Sequence, residues 1–389
     1  MKTYLILTLI LTSFNVKGQF CKRDFLEKQC HYPIENKEEI FKKVDTFLYL
    51  MSEKDTTYKK WIDREDIISW ETPFDEIQSY LKYPKFNVVS IVGIMDFSEN
   101  EYLIKLLINN KSDSITTSII GVYNIVVKYD SITKLYRFKD YRSYYIKNNL
   151  DTLKQGTITY YAKNTTKLNK LNCSEFDKFN VQIARDFKVK PKNVAYISLK
   201  NSIELLNFFG WDIVYNMFYA PTGGFARFGG KGTKFENLVI CGNNSERYDH
   251  ELIHLYYPEL LDTDTTNSTL IIEEGLPTFF GGSSGKRYVE LKKTLSEYLD
   301  KTDSVKIQHH FLDRSKNIQI DKHTNYIYSM GAFITELFYN KDGFKGLREL
   351  ANYNNDNFIK NVSTYFNIRE DELDVFLRKQ LKSSIRPSK

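Results

Sequence analysis

The chain has 389 residues, of which 42% are hydrophobic and 27% are charged, and it carries a formal net charge of +6. This composition is ordinary for a globular protein with room for two domains, and it excludes a predominantly disordered chain. Lysines are interleaved with acidic residues along the sequence, so the charge pattern predicts neither a nucleic-acid partner nor binding to a membrane surface.

Residues 1–18 have the pattern of a secretory signal peptide. A cationic start precedes an apolar run from Tyr4 to Phe14, and Val16 and Gly18 fit the positions before a cleavage site. The run is too short to cross a bilayer, and no later run approaches the length of a membrane span, so no integral membrane segment is expected after cleavage. Lipidation of Cys21 would require a small residue where Phe20 stands. We therefore expect an exported protein, periplasmic or secreted, without a lipid anchor.

Four cysteines remain after export, at positions 21, 30, 173 and 241. None has C-x-x-C spacing, which argues against a cysteine zinc site or a thioredoxin-type motif. In an oxidising compartment, proximity in sequence favours a disulfide between Cys21 and Cys30 and leaves Cys173 to pair with Cys241. Four reduced thiols are the alternative.

Residues 19–150 are expected to form a separate N-terminal α+β domain of unknown role. Two stretches, residues 38–53 and Phe74 to Leu81, have apolar residues at helical spacing. Segments rich in β-branched and aromatic residues follow, and polar breaks that suit hairpins separate them. These predicted strands are NVVSIVGIMDF, EYLIKLLI, SIIGVYNIVVKYD and KLYRFKDYRSYY. The domain contains no candidate catalytic cluster.

Residues 155–389 are expected to form the second domain. TITYYA and NVAYISL read as strands, and SEFDKFNVQIARDF between them reads as an amphipathic helix with Ser174 as its N-cap. From Tyr248 to the C-terminus the pattern is mainly helical, with turns rich in Gly, Pro and Asn. The expected fold class of the whole chain is α+β.

Within this domain, the segment ERYDHELIHLYYPE places His250 and His254 four residues apart, with Glu251 directly after the first histidine. Residues i and i+4 of a helix share a face, so both imidazoles can reach one metal ion. Glu251 would lie beside the ion and take a proton from a water molecule without being a ligand. Two ordinary core histidines are the alternative, but the chain has only six histidines, so this pattern rarely arises by chance.

A catalytic zinc site needs a third protein ligand and an open fourth position. The metzincin pattern is excluded because Tyr257 and Leu260 occupy the positions of its glycine and third histidine. The better candidate for the third ligand is Glu274 in LIIEEGLPTFF, and Glu273 is the neighbouring alternative.

These segments resemble the gluzincin zinc metallopeptidases, the thermolysin-like and aminopeptidase N-like group. In that family H-E-x-x-H is followed, after a linker, by a Glu-Glu-Gly-type segment whose second acid is the third zinc ligand. The resemblance implies one zinc ion held by His250, His254 and Glu274, with Glu251 as the general base. It also implies a small mixed sheet followed by a mostly helical region with the active-site helix. A peptide or protein would be the substrate.

Pro277 departs from the alanine of the family pattern. Because proline disrupts a helix interior, it predicts no regular helix from Ile271 to Thr278, and it favours a helix that starts at Leu276 or Pro277.

Two further segments extend the resemblance. NYIYSMGAFITELF resembles the Tyr-x-x-Gly-Ala segment of aminopeptidase N-like members, which implies that the Tyr328 hydroxyl stabilises an oxyanion. Tyr326 is the competing tyrosine, and a packing role for Tyr328 is the alternative. PTGGFARFGG is predicted to supply an edge strand that pairs with an extended peptide, with Gly223, Gly224 and Phe225 as substrate-binding residues.

The sequence therefore predicts an exported zinc peptidase. The alternative function is a non-catalytic protein that binds peptides or a partner on a metallopeptidase scaffold. The adjacent His309 and His310 point in different directions on a helix and are expected to be surface residues.

Overall fold

The structure is a computed structural model that describes residues 36–64, 67–68, 74–81, 87–98, 100–110, 118–214, 224–228, 233–261, 269–302 and 318–385. The expected signal peptide, Cys21, Cys30, Gly223 and the pair His309 and His310 lie outside the described residues.

The secondary structure mixes helices and strands, which confirms the α+β class. The α-helices are α1 (Lys37–Ser52), α2 (Asp75–Leu81), α3 (Tyr141–Asn149), α4 (Lys170–Asp186), α5 (Ser202–Phe208), α6 (Asp249–His254), α7 (Leu270–Gly281), α8 (Tyr288–Lys301), α9 (Tyr326–Asp342), α10 (Phe344–Ala351), α11 (Phe358–Phe366) and α12 (Leu373–Ile385). The β-strands are β1 (Asn87–Ser98), β2 (Glu101–Asn110), β3 (Ser118–Asp130), β4 (Leu135–Lys139), β5 (Asp151–Gln155), β6 (Ile158–Ala162), β7 (Val194–Ser198), β8 (Trp211–Val214), β9 (Gly224–Phe228), β10 (Asn237–Cys241), β11 (Gln319–Asp321) and β12 (Thr324–Asn325). Short 3-10 helices span Thr56–Trp61, Thr165–Lys167, Tyr257–Leu260 and Glu370–Glu372.

The described residues divide into two compact units. The first contains the residues up to 150 together with 200–214 and 233–236, and the second contains 151–199, 224–228 and 237–385. The sequence analysis had assigned residues 200–214 and 233–236 to the second domain. They group with the first unit because β8 pairs antiparallel with β3 and Lys234 N donates to Ile67 O at 2.8 Å.

The sheet of the first unit is an antiparallel meander, β1-β2-β3-β4, with β8 as an additional partner of β3. The apolar stripe predicted for the first helix is buried, including Val44 and Phe47. The ring of Phe47 stacks on Phe138 of β4, with ring centroids 3.8 Å apart and ring planes within 8°. Helix α1 therefore packs on the sheet through aromatic side chains.

The predicted strand KLYRFKDYRSYY was wrong in its second half, where the chain forms α3 instead. Asp140 ends the strand because its carboxylate caps the helix, accepting from Arg142 N at 3.0 Å. The same carboxylate is fully buried, pairs with the Arg142 guanidinium at 2.9 Å and accepts from Ile68 N at 3.1 Å. A cap with this many partners overrides the strand propensity of the tyrosines that follow.

The second unit contains a small mixed sheet in the order β5-β6-β7-β10-β9. Strands β6, β7 and β10 are parallel, whereas β5 and β9 pair antiparallel at the two ends of the order. Every residue of β10 is buried, and this continuous apolar strand leads towards α6. A mostly helical region follows, as expected from the sequence.

Helix α4 begins four residues earlier than its predicted N-cap, Ser174. Asn169 caps it instead, because its side-chain oxygen accepts from Leu171 N at 3.0 Å and from Asn172 N at 3.3 Å. Asn169 also has a tertiary contact, because its backbone N donates to the Glu246 carboxylate at 3.0 Å.

The predicted pairing of Cys173 with Cys241 was wrong: both are free, buried thiols. They have different polar neighbours: Cys173 interacts with Tyr160, and the Cys241 thiol donates to Asn243 Oδ1. Burial raises the pKa of both thiols, which keeps them in the neutral form.

None of the helices in the described part of the chain is long and apolar enough to cross a membrane.

Candidate metal centre

Helix α6 carries the first two candidate ligands and is anchored by apolar residues on its other face. Leu252 and Ile253 are fully buried in the core of the second unit. His250 and Glu251 are also buried, whereas the His254 side chain is 23% exposed. The short helix thus offers a partly accessible histidine one turn after a buried one.

Helix α7 brings the third candidate ligand to this face. Its last residue, Gly281, lies so close to the start of α6 that a Cβ there would overlap the backbone of Asp249 and His250. This close approach needs a glycine. It places Glu274, in the middle of α7, opposite the two histidines.

The atoms of His250, His254 and Glu274 that face one another form a nearly regular triangle. His250 Nε2 lies 3.2 Å from Glu274 Oε2 and 3.3 Å from His254 Nε2, and His254 Nε2 lies 3.6 Å from Glu274 Oε2. Ligand atoms bound tetrahedrally to zinc at about 2.0–2.1 Å are roughly 3.3 Å apart. The spacing therefore fits one tetrahedral metal ion with a fourth position open. His, Cys, Asp and Glu side chains are the usual protein ligands of metals. Among the described residues, His250, His254 and Glu274 are the set of such side chains whose ligand atoms lie close enough together to hold one ion.

The imidazole of His250 is oriented by the backbone. Its Nδ1 lies 2.8 Å from the carbonyl oxygen of Gly282, the residue directly after α7. Because a carbonyl only accepts, Nδ1 is assigned the proton, and Nε2 presents its lone pair towards His254 and Glu274. Such a hydrogen bond on the far nitrogen is the usual way that a metal-binding histidine is held.

The electrostatics of the triangle favour a charged Glu274. Burial raises the pKa of its carboxyl, but hydrogen bonds and positive charge from His250 and His254, when their Nε2 atoms carry protons, outweigh burial and hold the pKa well below its ordinary value. A bound metal ion would take the place of these Nε2 protons. Burial lowers the pKa of His254, but its hydrogen bond to Glu274 and the charges of Glu251 and Glu274 hold the pKa above its ordinary value. The cluster thus concentrates negative charge where a cation would bind.

Glu251, the candidate base, and Glu273, the alternative third ligand, lie outside the triangle. Glu251 is buried beside His250, and its charge contributes to the raised pKa values of His254 and Tyr328, so its carboxylate is within electrostatic reach of both. Glu273 is half-buried and also acts on His254 through its charge, but it is not among the three converging side chains.

The expectation that Pro277 prevents a regular helix was wrong. Helix α7 runs from Leu270 to Gly281 with Pro277 inside it. The proline cannot donate a hydrogen bond to the carbonyl four residues earlier, that of Glu273. Packing outweighs this loss, because Ile271, Leu276 and Pro277 are buried in the helical core.

Tyr328 lies beside the triangle on α9. Its ring stacks on His250, with ring centroids 5.8 Å apart and planes within 10°, and its hydroxyl is within electrostatic reach of Glu274. Burial, followed by the charge of Glu274, raises the pKa of Tyr328, so the phenol stays protonated. Tyr326, the competing tyrosine, is buried and has an edge-to-face contact with Tyr298. Tyr328 is therefore the one of the two placed at the site.

Tyr328 reaches Glu274 because two glycines let α7 and α9 approach. A Cβ on Gly275 would overlap the backbone of Gly331, and a Cβ on Gly331 would overlap the Ile271 carbonyl. Gly275 directly follows Glu274, and Gly331 lies three residues after Tyr328. The glycine contact thus sets the spacing between the acid and the tyrosine.

The predicted substrate strand is present as β9, which pairs with β10 and ends the strand order of its sheet. Gly224 and Phe225 lie in β9. A Cβ on Gly224 would overlap the ring of Tyr248, a residue that the sequence analysis did not single out. Burial, followed by the charge of Glu251, raises the pKa of Tyr248, so this ring lies within electrostatic reach of the acids at the metal centre. In a chain with 28 tyrosines, only its place two residues before His250 could have indicated it.

No protein-family model matches this sequence, and no curated protein matches it as a relative.

Proposed function

We propose that this protein is an exported, zinc-dependent peptidase. The observation that carries the proposal is the triangle of His250 Nε2, His254 Nε2 and Glu274 Oε2, whose sides of 3.2–3.6 Å match the ligand spacing of tetrahedral zinc. Two imidazoles and one carboxylate are the ligand set of several catalytic zinc sites, whereas structural sites are usually completed by four protein ligands.

A bound zinc ion would polarise the scissile carbonyl and make a water molecule acidic enough to attack at neutral pH. The residues of the chain supply the proton transfers around that attack. Glu251, buried next to His250, would accept the proton of the attacking water on its carboxylate and return it to the leaving amine. The phenol of Tyr328, kept protonated by burial, would donate a hydrogen bond to the oxyanion that develops on the substrate.

Strand β9 supports a peptide as the substrate. It ends its sheet in the described part of the chain, and Tyr248 packs on Gly224 at the side that leads to the metal centre. An extended peptide added to this edge would form main-chain hydrogen bonds with β9 and bring a carbonyl group towards His254 and Glu274.

The test is cleavage of a diverse peptide library by the purified protein, compared with the variant Glu251→Gln. The substitution preserves the size of the side chain but removes the base, so we expect cleavage by the wild type, none by the variant, and equal zinc content in both. Cleavage by Glu251→Gln at the wild-type rate would exclude the base assignment. Saturable peptide binding without cleavage by the wild type would establish the alternative, a non-catalytic binding protein on a peptidase scaffold.

The metal itself is tested by elemental mass spectrometry. Two histidines and a carboxylate also suit ferrous iron, which needs further open positions. Iron in place of about one zinc per chain would contradict the proposal, because the proposed activity relies on a metal without redox chemistry.

A further inference from the structure

The first unit contains a cleft of about 460 Å³, here called the basic cleft. It is lined by Lys59, Lys60, Ile62, Asp63, Arg64 and Arg137. All six residues belong to the first unit, whereas the candidate ligands belong to the second. The basic cleft therefore belongs to a different unit from the proposed metal centre, and nothing in the peptidase mechanism uses it.

The fold brings together residues that are far apart in sequence to form this cleft. The 3-10 helix Thr56–Trp61 leads into a segment bound to β4, where Asp63 N donates to Phe138 O at 2.8 Å. This contact places Arg137, also in β4, beside that segment. Arg137 Nη1 donates to the carbonyl oxygen of Lys60 at 2.5 Å, which fixes the guanidinium at the cleft before any ligand arrives.

The charge of the basic cleft is unbalanced. Four of the six lining side chains are cationic, and Asp63 is the one acid among them. Within the described residues, no ion pair involves Lys59, Lys60, Arg64 or Arg137. Glu65 and Asp66 follow Arg64 in the sequence and lie outside the described residues. Cations held together repel one another, and a bound anion would relieve that repulsion.

We propose that the basic cleft binds an organic ligand that bears a phosphate or sulfate group. The guanidinium groups of Arg64 and Arg137 present paired donors that match the oxygens of a tetrahedral oxyanion, and the two lysines add mobile charge. The volume is in the range of small-molecule pockets, about 300–1,000 Å³, and larger than a single oxyanion needs. Ile62 is the one apolar residue among those that line the cleft, on the side where the organic part would lie. This inference is independent of the peptidase proposal.

The experiment is isothermal titration calorimetry of the full chain with inorganic phosphate and with phenyl phosphate at low ionic strength. We expect both to bind saturably, with phenyl phosphate tighter because its ring contacts Ile62. The double variant Arg64→Gln/Arg137→Gln should bind phenyl phosphate at least about tenfold more weakly, since each charge-assisted bond contributes about 1.5–3 kcal/mol, which is roughly a tenfold to a hundredfold change in affinity. Equal affinity of the wild type for the two probes would identify the free ion as the ligand and overturn the organic part of the proposal.

The matched control is Lys42→Gln/Lys147→Gln, which removes two exposed cations from helices of the same unit. The control should bind like the wild type. Absence of saturable binding, or the same loss in the control as in the cleft variant, would overturn the proposal. Both variants keep the candidate metal centre, so phosphate bound to a metal there cannot produce the expected difference. If the arginine variant does not fold, the exposed pair Lys59→Gln/Lys60→Gln replaces it and should weaken binding in the same way.

Discussion

His250 Nδ1 lies 2.8 Å from the carbonyl oxygen of Gly282, the residue that caps the C-terminus of the helix carrying Glu274. One candidate ligand is therefore oriented by the backbone of the element that supplies another. Any shift of α7 moves Glu274 and releases the His250 ring together, so the geometry of the triangle depends on how α7 is packed.

Loss of the third ligand should release the metal. In Glu274→Ala we expect the zinc content, measured by elemental mass spectrometry, to fall from about one ion per chain to a small fraction, because two histidines alone leave the site incomplete. The matched control is Glu273→Ala, one residue away and outside the triangle, which should retain its zinc. Zinc loss in the control but not in Glu274→Ala would assign the ligand to Glu273.

Substitution of Tyr328 should reduce turnover, whereas substitution of the neighbouring Tyr326 should not. Tyr328→Phe removes the hydroxyl beside Glu274, and we expect kcat to fall about a hundredfold or more, as for other oxyanion donors, while zinc content is unchanged. Tyr326→Phe, whose ring is buried away from the triangle, should leave kcat within a fewfold of the wild type. Steady-state kinetics on a peptide found in the library screen measures both, and equal kcat values for Tyr328→Phe and the wild type would exclude an oxyanion role.

The glycine contact between α7 and α9 should tolerate no side chain. Gly331→Ala places a Cβ against the Ile271 carbonyl oxygen, and overpacking of this kind costs about 1–3 kcal/mol in the free energy of unfolding. The same Cβ would push against the helix that carries Glu274, where Gly275 packs on Gly331, so we also expect weaker zinc binding in Gly331→Ala. In the control Gly93→Ala, the nearest heavy atom to the new Cβ is 3.6 Å away, an ordinary contact. Urea unfolding measures both, and an unchanged midpoint for Gly331→Ala would contradict the close approach.

The two described cysteines should be unreactive until the protein unfolds. Burial raises the pKa of Cys173 and Cys241, and the reactive form of cysteine is the thiolate. We expect neither to be alkylated by iodoacetamide in the native protein at neutral pH, and both to be alkylated in denaturant without a reductant. Peptide mass spectrometry identifies the labelled positions. A peptide pair linked through Cys173 and Cys241 would contradict the free thiols.

The elements that sequence alone predicted are those specified by local patterns. The spacing of His250 and His254 fixes a shared helix face, and the two segments that contain them and Glu274 were read from short motifs. The apolar stripe of α1 and the β-branched and aromatic composition of β1 to β3 were likewise visible, because each depends on residues close in sequence.

The features that were missed depend on tertiary contacts. Ser174 was a reasonable cap, but Asn169 had a second anchor in Glu246, 77 residues away. Pro277 breaks isolated helices, yet α7 is held by core packing on both sides of it. The carbonyl of Gly282 carries no sequence signal, since every residue has a carbonyl, and the only signal for Tyr248 was its place two residues before His250 in a chain where tyrosine is common.

Because Cys173 and Cys241 are unlinked, the second unit needs no oxidant to join them as it folds. Each thiol instead contributes to the core as a small apolar group. The proposed metal centre lies in this unit, so we expect it to assemble equally well in a reducing bacterial cytoplasm supplied with zinc. The redox state of the compartment in which the chain folds should then have little influence on whether the centre forms.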